Sequence, residues 1–129
     1  MSSLGTRFLR NIASACLILS ATPAVGDFSR DIQPLLAEHC YACHGPDAKT
    51  RKSRLRLDLR EGAMSELKSG SRAIVPGDLE ESEIIHRIFS KDPDEMMPPP
   101  DFRKGLNNEG REKLRAWVEN GAKYEQHWS

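Results

Sequence analysis

The residues most able to do chemistry lie in one five-residue run, Cys40-Tyr41-Ala42-Cys43-His44. Two cysteines three positions apart sit within one helical turn. Each thiol can then form a thioether with one vinyl group of a haem, and the adjacent imidazole is directed at the iron from the same side. The spacing therefore reads as covalent attachment of one haem c through Cys40 and Cys43, with His44 as an iron ligand. Other uses of the same residues are a Cys40–Cys43 disulfide, a redox-active dithiol, or a zinc site drawing on His39, His44 and His86. A redox dithiol usually starts a helix that follows a strand, whereas the preceding segment here reads as helix. The zinc reading lacks a second Cys/His pair.

A haem iron held by one histidine has a sixth position. Met96 and Met97 stand immediately before Pro98-Pro99-Pro100, and a thioether from Met97 would give His/Met ligation, which raises the reduction potential. His86 is the rival. The alternative for either methionine is core filling. The metal ligands expected are thus His44 and Met97.

These residues need elements to hold them. Residues 27–40 read as a helix leading into the motif, with Ser29 or Asp31 as N-cap, Pro34 in the first turn, and Ile32, Leu35, Leu36 and Cys40 along one side. Gly45-Pro46-Asp47 ends it. Residues 49–60 read as a basic loop, with an extended stretch where Leu55, Leu57 and Leu59 alternate with charged residues. Residues 61–68 read as a short helix closed by Gly70, and Pro76-Gly77 as a turn. Asp78, with Glu81 three residues on, reads as the cap of a helix whose apolar stripe is Leu79, Ile84, Ile85, Ile88 and Phe89. Residues 91–105 read as irregular. Asn107 to Asn120 reads as a final helix closed by Gly121. The expected fold class is all-α, about four helices with long loops and little or no sheet.

The first 26 residues carry the marks of a signal peptide: Arg7 and Arg10, an apolar run over 12–21 shorter than the about 20 residues of a membrane span, then Ala24-Val25-Gly26. The domain expected is 27–129, with 122–129 as a tail or a linker to further domains. The location expected is periplasmic or otherwise extracytoplasmic, with a membrane association only if the signal segment stays uncleaved. Over the whole chain 19 Lys and Arg balance 19 Asp and Glu. Without Arg7 and Arg10 the remainder holds 17 basic residues, a net charge of −2, so no bias points to nucleic acid. The one local charge run is Lys49, Arg51, Lys52, Arg54 and Arg56. It reads as a solvated loop, as partners for haem propionates (Arg54, Arg56 or Arg60), or as a docking patch for an acidic redox partner. Asp78, Glu80, Glu81 and Glu83 are accounted for by the helix dipole.

Residues 28–45 (FSRDIQPLLAEHCYACHG), 55–58 (LRLD), 74–78 (IVPGD), 97–100 (MPPP) and 114–122 (LRAWVENGA) together resemble the planctomycete-type cytochrome c domain, over about residues 27–128. The resemblance implies an all-helical cytochrome c fold, with Cys40, Cys43 and His44 on the haem and Met97 as distal ligand. It also implies that such a domain commonly opens a longer exported protein. The chain therefore reads as a stand-alone carrier or as part of one. The function expected is single-electron transfer with redox partner proteins, more in keeping with a carrier than a catalyst. The alternative is a haem-based sensor of a small gas, or an interaction module of a larger protein.

Overall fold

In a computed structural model, residues 27–125 are described. The proposed signal segment, His127 and Trp128 lie outside them. Among the described residues the structure is helical and contains no strand. A π-helical turn at Phe28–Ile32 is followed by α1 (Gln33–His39), α2 (Tyr41–His44), α3 (Arg60–Met64), α4 (Glu83–Phe89) and α5 (Asn108–Glu119). Two isolated bridges, Glu66 with Arg72 and Arg72 with Ser82, tie the middle of the chain together.

The first helical segment is capped neither by Ser29 nor by Asp31 but by Asp27, whose carboxylate accepts from the Arg30 N–H at 3.1 Å. Asp31 returns the bond by accepting from the Asp27 N–H at 2.9 Å. This reciprocal pair satisfies two amides that an N-terminus leaves bare. The Gln33 N–H then reaches Phe28, five residues back, which makes this first turn π-helical. Pro34 sits in the first turn of α1, as expected. The helix breaks at Cys40, where φ −126° departs from helical values, and resumes as α2. Gly45 ends α2. A Cβ there would collide with the Tyr41 carbonyl, so only glycine allows the chain to turn away so tightly.

Helix α4 begins later than its sequence implies. The Asp78 carboxylate does accept from the amides of Glu80 and Glu81, both at 3.1 Å, but these bonds close a separate turn. The buried Ser82 hydroxyl is drawn back to the Asp78 carbonyl at 2.6 Å and accepts from the Val75 N–H at 2.8 Å. Ser82 thereby leaves helical geometry, and α4 starts at Glu83. The expected helix over 61–68 is likewise shorter, ending at Met64 because Ser65 is extended.

Helix α5 matches its expected limits. The Asn107 side chain accepts from the Gly110 N–H at 2.8 Å. At the far end the Ala122 N–H reaches the Trp117 carbonyl and the Gly121 N–H reaches Val118, at 2.9 and 3.1 Å. This Schellman closure needs the left-handed φ of +106° that Gly121 supplies.

The core joins the two ends of the described chain. The π turn packs on α1 and α5, and α4 packs on α5. Ile32, Leu36, Leu114 and Val118 are fully buried. Phe28, Trp117 and Tyr124 form an aromatic trio with ring centroids 4.9 to 5.8 Å apart. The segment expected to be a patternless tail therefore contributes Tyr124 to the core. Its hydroxyl donates to the Leu57 carbonyl at 2.8 Å, and burial holds its pKa above the ordinary tyrosine range.

Candidate functional site

The break at Cys40 aims the motif into a cavity of about 420 Å³, a size suited to a small ligand or cofactor. Cys40, Cys43 and His44 all line it, and so does Met97. All four residues singled out from sequence therefore share one site. Leu55, Leu57, Leu67, Ala73, Ile84, Ile88, Pro98 and Phe102 supply an apolar lining. Met96, the other methionine of the pair, is not on the wall. His86, the rival ligand, is exposed on α4, with its Nε2 2.5 Å from the Glu80 carbonyl oxygen. His39 does reach the wall, but its Nδ1 is held by the Lys104 carbonyl at 2.8 Å.

The imidazole of His44 is oriented from behind. Its Nδ1 lies 3.2 Å from the Lys52 carbonyl oxygen. With Nδ1 donating, Nε2 keeps its lone pair for a metal, the arrangement that fixes ligating histidines elsewhere. Burial lowers the His44 pKa, while the Lys52 carbonyl pulls the other way, and the balance favours the neutral ring that a metal takes. Lys52 also donates its backbone N–H to the Cys43 carbonyl at 2.6 Å. The Arg51 guanidinium donates to the carbonyls of Gly45 and Pro46 at 2.9 and 3.0 Å. The Leu57 N–H donates to the His44 carbonyl at 2.8 Å. The basic loop is thus more than a solvated surface: its backbone and one arginine clasp the end of the motif. The sequence carried no signal for this, because carbonyl direction depends on the fold of the loop. Of the three arginines considered as propionate partners, Arg56 pairs with Asp58 at 2.6 Å, and Arg54 and Arg60 are exposed.

Both cysteines are free thiols. Burial, helped by Cys43, pushes the Cys40 thiol up to about 12. A redox dithiol needs the opposite, a nucleophile with a depressed pKa. Among the described residues no three His, Cys, Asp or Glu side chains converge as a metal cluster, so the zinc reading has no assembled ligand set. Glu83 and Arg87, joined at 3.0 Å, also line the cavity. Sequence reasoning had assigned Glu83 to the helix dipole alone. Their i,i+4 spacing was the available signal.

Residues 40–101, the stretch from the first cysteine to just beyond the Met97 loop, match the family model described as Planctomycete cytochrome C. Over this stretch, just under half of its length, the chain is similar to that family. The match is narrower than the span of about 27–128 read from the sequence, and it leaves the π turn, α1 and α5 outside. No curated protein and no solved structure matches the chain. Cytochrome c domains of this kind imply a covalently held haem and a typically extracytoplasmic setting. The residues fit that group. Two unpaired thiols, an imidazole with one nitrogen already engaged and a thioether surround a single apolar cavity.

Proposed function

We propose that this chain is an exported planctomycete-type cytochrome c module that binds one haem c and passes single electrons between protein partners. Cys40 and Cys43 would hold the haem as thioethers, and His44 and Met97 would ligate its iron. When bound, the haem supplies a one-electron ferric/ferrous couple, tuned by its axial ligands and by burial. The chain's own part is to hold and orient. The Lys52 carbonyl fixes the His44 ring. Leucine and isoleucine side chains give the cavity a largely apolar lining. The buried contacts around Leu36 and Trp117 brace the helix that carries the motif. The observation that carries this reading is the meeting of Cys40, Cys43, His44 and Met97 around one cavity. In this reading residues 1–26 are the signal peptide and 27–129 form the cytochrome c-like domain.

The test is expression with a haem-attachment system. The expected product is red, keeps its haem through denaturation and organic extraction, and is low-spin in both oxidation states. A colourless product, or one with its thiols joined to each other, would overturn the proposal. Rapid carbon monoxide binding to the reduced wild-type protein would instead favour a gas sensor.

A further inference from the structure

The geometry points to Arg87 as the residue that positions Met97, an inference that rests on reading Met97 as the iron's sixth ligand. Met97 belongs to an irregular stretch with no helix of its own. What steadies it is a double tie to one residue of α4. The Met97 N–H donates to the Arg87 carbonyl at 3.0 Å. The Arg87 side chain turns back along the same loop, and its Nη1 donates to the Glu95 carbonyl at 3.3 Å. Its Nε donates to Glu83 at 3.0 Å. Glu83 is itself anchored, since its N–H donates to the Arg72 carbonyl at 3.0 Å. The two residues flanking Met96 are therefore held by Arg87, one through backbone and one through side chain, and the guanidinium is oriented by a carboxylate on the same cavity wall.

The fork of a guanidinium can serve both acceptors, and a lysine ammonium on its flexible stem cannot hold the same geometry. On the far side of Met97 the next tie between the loop and another element comes only at Lys104, whose carbonyl meets His39. Arg87 is thus the anchor that grips the loop at Met97 and two residues before it. A neutral thioether is a weak ligand, so its hold depends on how far the loop is ordered in advance. Loosening Arg87 should let Met97 leave more often, with the haem and its thioethers intact.

The experiment uses the haem-loaded protein and the variants Arg87→Met, Arg87→Lys and Glu83→Gln. The readouts are the sulfur-to-iron charge-transfer band of the ferric form and the rate of carbon monoxide binding to the ferrous form. Arg87→Met should weaken the band and speed binding roughly 3- to 10-fold, the range for one partly exposed charged hydrogen bond. Arg87→Lys and Glu83→Gln should move both readouts the same way by less, and they serve if Arg87→Met does not fold. In a Met97→Ala background, Arg87→Met should change the rate no further. An unchanged band and rate in all three single variants would overturn the inference. So would an acceleration that persists without Met97, which would mark Arg87 as a contact to the haem or a general structural residue. If Met97→Ala alone changes neither readout, the ligand reading itself fails, and that result is distinct from an Arg87 variant failing while Met97→Ala succeeds.

Discussion

On one stretch of the cavity wall, Cys40, Cys43 and His44 ride on a broken helix; on another, Met97 rides on a loop. The helical stretch is backed by buried side chains such as Leu36 and Ile32 and by backbone ties to Lys52 and Leu57. The loop is held by the double tie to Arg87 and by the Glu38, His39 and Lys104 contacts. The difference matches the chemistry each stretch is proposed to perform. Covalent attachment needs two sulfurs and an imidazole at fixed spacing, which a packed helix provides. A thioether ligand can be retained or released by modest changes in a loop, and a loop with few ties is where such control is cheapest.

The sharpest way to break the contrast is to remove the covalent side. Cys40→Ala with Cys43→Ala should abolish covalent haem entirely, read by haem staining after denaturing electrophoresis, whereas Met97→Ala should leave that staining intact. Met97→Ala should lower the reduction potential and open the iron to carbon monoxide, read by potentiometry and binding kinetics. If both variants lost covalent haem, the two stretches would not be separable. Next comes packing. Leu36→Ala should cost about 2–5 kcal/mol in denaturant unfolding, the range for a fully buried leucine, and a much smaller cost would show that α1 is not the brace proposed here.

Tyr124→Phe should cost about 1 kcal/mol through the lost bond to Leu57. It should also change the alkaline limb. Because burial raises the Tyr124 pKa, the folded state keeps its proton while the unfolded state loses it above about pH 10. That contribution to stability is complete below pH 10 and falls as the pH climbs beyond it. The phenylalanine variant should show a shallower decline in the same range. The smallest effect is expected at Lys104→Ala, where the exposed pair with Glu38 at 3.2 Å should be worth under about 1 kcal/mol and less at high salt.

Which residues gather at the cavity was legible because the signal is written in adjacent residues: a cysteine spacing, a following histidine, a methionine before prolines. The limits of α5 were legible for the same reason, since Asn107 and Gly121 act within one turn of themselves. What escaped was set by contacts between distant residues. The start of α4 moved because Ser82 bonds back to Val75 and Asp78. Asp27 rather than Ser29 became the cap because Asp31 could answer it. The Lys52 carbonyl behind His44 and the Arg87 tie to the Met97 loop depend on how loops fold over helices, and no local pattern announces them.

The aromatic trio has a bearing on how the two ends of the described chain sit relative to the cavity. Phe28 and Tyr124 touch, and Ser29 reaches Glu125 at 2.8 Å, so the polypeptide arrives and departs through one doorway. None of those four residues lines the cavity. Both points where the described chain enters and leaves the fold therefore lie together and apart from the cavity, so changes at that doorway need not disturb the cavity lining.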